Sequence, residues 1–251
     1  MEMFEVYNEN SSVPIVFSVE HASNYIPDHL GNLGLDKPFL QEHIAWDIGA
    51  KKLAFELSTR VGGTAIFANF SRLVIDPNRR PEQLGFIPEV SDGIQIKGNH
   101  NLSEVEVNQR IDYYYTPYHN ALEGVILRHL KNGRRPIVMG IHSFTPQMAG
   151  FMRPWHIGFM WDKDDRLAKA LMPAFEKAYK TIGHNLPYGG DEFFHTMESS
   201  SSKHGLAHTQ IEIRQDLMAL DSDILHWVDL LEEAIADALS KKQLFMDFRN
   251  I

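Results

Sequence analysis

Two short apolar runs, each closed by a histidine, constrain this chain more than any other feature. Residues 13–24 read VPIVFSVEHASN and residues 134–146 read RRPIVMGIHSFTP. Runs of Val, Ile, Phe and Met without polar alternation fit strands covered on both faces. Such strands belong to a sheet between helices, and open α/β sheets hold their ligands at the carboxyl ends of the strands. Comparable runs predict further strands at 64–69, 71–76, 156–161 and 207–213.

Helical periods fill the intervals. Trp46, Ala50, Leu53 and Leu57 mark one face of a helix that stops before Gly62 and Gly63, placing Asp47 in its first turn. Ile111, Tyr114, Tyr115, Tyr118, Leu122 and Val125 mark a second, which Pro117 must kink or restart. Further helices are expected at 164–180 and 221–239, the last capped by Asp221-Ser222-Asp223. No linker or internal repeat divides the chain, so residues 1–251 read as one α/β domain with a largely parallel sheet. The Gly- and Ser-rich segment 188–205 is long for a plain connection and is a candidate lid.

Composition narrows the chemistry. With no cysteine, disulfides and thiolate ligands are excluded, and any metal falls to the 13 histidines and the carboxylates. A formal charge of −9 without a dense Lys/Arg run argues against nucleic acid and for a small-molecule partner. An acidic N-terminal stretch and the absence of a long apolar run predict a cytoplasmic protein without a membrane span. Nothing in the sequence fixes an oligomeric state.

His21 and His142 close two covered strands of one parallel sheet and should face one crevice, where neutral imidazoles bind a divalent ion such as Zn2+. The third ligand is expected to be Asp47, with Glu20 and His43 as alternatives. Glu20 adjoins His21, and neighbours in a strand face opposite ways. Glu212, between Ile211 and Ile213, must be paired, bound or given work, either as a general base or as an ion-pair partner of Arg214. Asn78, Arg79 and Arg80 follow the 71–76 run in a turn suited to a carboxylate. Arg110, Arg153 and Arg214 are further candidates for substrate anions or an oxyanion, and His119 and His156 for the pocket wall.

Six ordered segments, FSVEHASNYIP, HIAWDIGAKKLA, SRLVIDPNRR, YYYTPYHNAL, IHSFTPQMAGFMRPWHIG and QIEIRQDL, resemble the N-formylglutamate amidohydrolase family across nearly the whole chain. The resemblance implies a phosphorylase/hydrolase-like three-layer αβα sandwich with a mixed, mostly parallel sheet, related to zinc carboxypeptidases. It also implies hydrolysis of N-formyl-L-glutamate to formate and glutamate in histidine degradation. The wider similarity to metallocarboxypeptidases implies that Glu212 is the catalytic glutamate and that Asn78 and Arg79 bind the substrate carboxylate. Those enzymes carry a Glu ligand three residues after the first His, where this chain has Asn24. The expected mechanism has Zn2+ on His21, Asp47 and His142, Glu212 moving the proton, and Arg79 or Arg153 stabilising the oxyanion. The alternatives are a zinc deacylase for another N-acyl amino acid or peptide and a non-catalytic binder of acidic amino acids.

Overall fold

The computed structural model describes residues 2–179, 181–190 and 194–250. Its main sheet contains β1 (Phe4–Tyr7), β2 (Ile15–Val19), β3 (Thr64–Ala68), β4 (Ile137–Phe144), β5 (Ile157–Met160), β6 (Ile182–His184) and β7 (His208–Arg214). They lie in the order β1-β3-β2-β4-β7-β5-β6. The central four, β3, β2, β4 and β7, are parallel. β5 runs antiparallel to β7 and parallel to β6, and β1 runs antiparallel to β3.

The helices are α1 (Ala50–Val61), α2 (Glu104–Arg110), α3 (Thr116–Lys131), α4 (Arg166–Ala178), α5 (His195–Ser200) and α6 (Asp221–Leu239). Strand alternation divides the core in two. Ile15, Phe17 and Val19 pack with Leu53, Leu57, Phe175 and Trp227 from α1, α4 and α6. Val16, Ile66 and Val138 point the other way, onto Tyr118 and Leu122 of α3 and the apolar loop around Val74. Both faces are therefore covered, giving an αβα sandwich. Burying a side chain the size of Phe17 or Leu57 contributes roughly 1.5–3 kcal/mol. On the strands, even positions such as Gln210, Glu212 and His142 share a face with Val16 and Val138.

Several expectations change. Residues 71–76 form buried turns rather than a strand. There the Ser71 hydroxyl accepts from Leu73 N, and Val74 N donates to Ser71 O, so a local side chain supplies what a ladder would. Asp47 precedes α1, whose first residue is Ala50, and its carbonyl accepts from Ala50 N. Pro117 sits in the first turn of α3, behind a π-helical turn at Ile111–Tyr115 in which Thr116 N reaches back to Ile111 O. At α6 the cap bond is from Leu220 N to Asp223, while Asp221 pairs with Lys52. The segment 188–205 carries α5 and a further helical turn, Ser202–His204, and residues 191–193 of it lie outside the described residues. Among the described residues, no helix is long and apolar enough to cross a membrane.

Candidate active site

β2 ends at Val19, so His21 emerges from the carboxyl edge of the sheet. His142 lies on β4 directly opposite Glu212 on β7. Asp47 N donates to His21 O (3.0 Å), which ties the turn before α1 to the end of β2. These pieces bring His21, Asp47 and His142 together, with one ligand atom from each within 4.8 Å of the others. Both imidazoles turn Nδ1 toward Asp47 Oδ2, at 2.8 Å from His142 and 3.3 Å from His21. Ser143 N also donates to that oxygen, at 3.3 Å.

A buried carboxylate stands on the far nitrogen of each ring. His21 Nε2 is 2.8 Å from Asp76 Oδ1, and His142 Nε2 is 2.9 Å from Glu20 Oε2, the latter off the hydrogen-bond axis. Tyr118 Oη donates to the other Glu20 oxygen at 3.2 Å. Asp76 is held in turn by Arg72, whose Nη2 and Nε lie 2.6 and 3.1 Å from Asp76 Oδ2. Arg72 Nη1 extends to 3.6 Å from Asp47 Oδ1.

Glu212 completes the group. Gln210 Nε2 donates to Glu212 Oε1 (3.0 Å), while the buried Oε2 has no hydrogen-bond partner among the described residues. Asn78 Nδ2 donates to Gln210 Oε1 (3.0 Å), linking the 71–80 loop to β7. The cavity these residues enclose, about 220 Å³, includes His21, Asp47, Arg72, Asp76, His142 and Glu212 in its wall.

Burial pushes the Glu212 carboxyl up to about 7, against the pull of the His142 charge. Burial also opposes ionisation of Asp47, but His21 and His142 outweigh it and hold the group below the carboxylate range. Asp76 is likewise lowered despite burial, by Arg72 and His21. Both histidines rise against desolvation, His142 through Asp47 and Glu20, and His21 through Asp76 and Asp47.

This set fits a divalent cation. Two imidazole nitrogens and a carboxylate oxygen converge, and the carboxylates behind both rings orient them as metal ligands require. Glu20, Asp47, Asp76 and Glu212 are all at most 4% exposed. Arg72, bound to Asp76, is a single cation against these four buried carboxylates, a setting that favours a further cation at the cluster.

The continuous helix made by α2, the π turn and α3 braces this site from behind. Arg110 Nη1 donates to Val74 O (2.8 Å), His119 Nε2 to Pro77 O (2.9 Å), and Tyr115 Oη to Arg79 O (3.2 Å). With Tyr118 on Glu20, four side chains of this one helix fix the 74–79 loop and one histidine partner.

Of the expected residues, His21, Asp47, His142, Glu212, Asn78 and Arg79 line the cavity, and His43 lines its outer part. Arg79 Nε stands 3.6 Å from Asp76 Oδ2, and Nη1 donates to Leu84 O. The others lie elsewhere. Arg80 pairs with Glu198 at the surface. Arg110 is clamped behind the loop by carbonyls of Val74 and Gly98 and by Asn99 Oδ1. Arg214 pairs with Asp216 and not with Glu212. Arg153 packs among Phe144, Thr145 and Tyr188 and is not itself in the cavity wall. His43 sits at the rim against Asp92, outside the cluster. His156 packs on Tyr179, away from the cavity.

Arg72, Asp76, Gln210 and Tyr188 are site residues that the sequence reading did not single out. Asp76 and Arg72 stand within the SRLVIDPNRR segment, and the excess of acid over base around His21 was the available signal.

The N-formylglutamate amidohydrolase family model matches residues 13–219. A search of curated proteins returned no match. Among solved structures, the gene product Atu2144 from Agrobacterium tumefaciens superposes with a TM-score of 0.94 at 36% identity, covering 97% of both chains. An N-formylglutamate amidohydrolase from Ralstonia eutropha JMP134 shares the fold at TM-score 0.72 and 22% identity, covering 97% of this chain and 99% of that one. The family match over most of the chain, on top of the His/Asp/His cluster, makes this protein a member of the N-formylglutamate amidohydrolase family of amide hydrolases.

Proposed function

We propose that the protein is a metal-dependent hydrolase that removes the N-acyl group of an acidic amino acid, N-formyl-L-glutamate giving formate and glutamate. One observation carries this reading. Glu212 presents an unpartnered, buried carboxylate oxygen, one strand across from the His142 end of the His/Asp/His cluster. A cytoplasmic role in histidine degradation, with a small-molecule substrate, follows from the same reading.

His21, Asp47 and His142 would hold Zn2+ or another divalent ion, which supplies Lewis acidity and makes water more acidic. Glu212 Oε2 takes the proton of the attacking water as its oxygen bonds to the acyl carbon. Gln210 keeps Glu212 Oε1 occupied, so the proton resides on Oε2. Arg72 places a fixed cation beside the cluster, where negative charge grows on the acyl oxygen. As the C–N bond breaks, Glu212 returns the proton to the departing nitrogen, leaving the amino acid. Asn78 and Arg79 hold its α-carboxylate.

The test is amine release from N-formyl, N-acetyl and N-succinyl amino acids, with metal content measured before and after a chelator. Bound divalent metal and chelator-sensitive release from N-formylglutamate are expected. Glu212→Gln should retain metal while kcat falls about 10²–10⁴-fold. A Glu212→Gln protein that turns over like wild type would remove the proposed proton carrier.

A further inference from the structure

Arg153 is 6% exposed, yet no carboxylate among the described residues lies within ion-pair distance of it. Its partners are neutral. Nη1 donates to Tyr188 Oη at 3.0 Å and more weakly to Thr145 Oγ1 at 3.4 Å, and Nη2 contacts Met148 Sδ at 2.7 Å. The guanidinium lies over the rings of Tyr188 and Phe144, at 5.0 and 5.7 Å from their centroids. All four neighbours, Phe144, Thr145, Met148 and Tyr188, line the active-site cavity. A buried guanidinium without a counter-ion is costly, and a fold that keeps one beside a cavity leaves the counter-ion to a ligand.

Tyr188 is fixed in place. A Cβ at Gly158 or Gly183 would overlap the Leu186 carbonyl oxygen, and one at Gly190 would overlap the Trp161 carbonyl oxygen. The segment on either side of Tyr188 therefore rests directly on the ends of β5 and β6, and Trp161 N donates to Asn185 Oδ1 (2.8 Å) just before it.

We infer that Arg153, acting through Tyr188, forms a second anion subsite that reads the side-chain carboxylate of the substrate, while Asn78 and Arg79 take the α-carboxylate. Arg153 is a positioning residue here. Its donated hydrogen bond polarises the Tyr188 hydroxyl, and its unneutralised charge sets the field at that wall. The inference rests on the proposed hydrolysis of N-acyl acidic amino acids and names the side chains that select a carboxylate over its amide.

The experiment compares kcat/KM for N-formyl-L-glutamate and N-formyl-L-glutamine, which differ in charge at nearly equal size. Wild type should favour glutamate by about 100-fold, through KM. Arg153→Met, which keeps bulk between the two rings, should abolish most of that preference. Tyr188→Phe should reduce it about 10-fold, and Arg153→Lys should restore part of it. An unchanged glutamate-to-glutamine ratio in folded Arg153→Met overturns the subsite, whatever the absolute rates. If that variant does not fold, an unchanged ratio in Tyr188→Phe does the same. If wild type hydrolyses neither compound, the hydrolytic reading fails separately, and calorimetry with L-glutamate and L-glutamine still decides. Selective glutamate binding lost in the variants supports the subsite, and equal binding of both compounds by wild type refutes it.

Discussion

Replacing Arg110 with Met should loosen the substrate loop and the whole protein together. Arg110 is 4% exposed, and its guanidinium binds Val74 O at 2.8 Å and Asn99 Oδ1 at 2.7 Å, with a longer reach to Gly98 O. Asn99 in turn donates to Leu73 O and Pro88 O, so one side chain organises the backbone on both sides of the loop. Each hydrogen bond from a charged donor is worth about 1.5–3 kcal/mol, and methionine leaves both close acceptors buried without a donor. The expected loss is about 3–5 kcal/mol. At roughly 2–4 °C per kcal/mol for a chain of this size, Tm should fall by roughly 10 °C. Urea unfolding followed by circular dichroism measures the loss, and steady-state kinetics at a temperature where the variant is folded should show a raised KM. A variant as stable as wild type with KM still raised would mean that Arg110 meets the substrate itself and that the clamp is a misreading.

Asp76→Asn removes the carboxylate behind His21 and should weaken metal affinity about 10–100-fold, as measured by competition with a chromogenic chelator; unchanged affinity would discount that partner. Tyr118→Phe takes the hydroxyl from Glu20 in a fully buried setting and should cost about 1–3 kcal/mol of stability, whereas a neutral result would show that Glu20 finds another donor. His119 is lowered to about 4 by burial and the neighbouring His195 charge, so in acid the unfolded chain takes up the proton first. Its contribution is intact above the ordinary imidazole value and is lost as pH falls from about 6.5 to about 4, at most ~3 kcal/mol. His119→Gln should flatten the unfolding free energy across that window, and an unaltered slope would assign the acid sensitivity to other groups.

The residues most readable from sequence were those whose position follows from one strand. His21 and His142 end apolar runs, and Glu212 interrupts one, so a single alternation rule puts each at the sheet's working edge. SRLVID misled because Leu, Val and Ile also fill a buried turn. What makes it a turn is the Ser71 hydroxyl together with Asn99 and Arg110, residues far along the chain that no local pattern connects to it. Arg110 is a candidate for substrate anions by residue type alone, and its actual acceptors, Val74 O and Asn99 Oδ1, lie on loops that no local pattern connects to it. Arg72 and Asp76 were passed over because the cue to them is a charge balance among groups from several loops.

His142 and Glu212 occupy matched positions on adjacent parallel strands. Their separation is set by the spacing of the sheet, about 4.8 Å between chains, and not by any loop. Asn78, Arg79 and Tyr188, by contrast, come from connections. On the proposed mechanism, the sheet sets the spacing from one cation ligand, His142, to the proton carrier, while the contacts that choose the substrate lie on connections. Change at Asn78, Arg79 or Tyr188 would then alter which amino acid is accepted while the spacing of His142 and Glu212 stays constant, whereas Arg72 and Asp76 of the same loop are tied to the histidine cluster and are not free to vary with them.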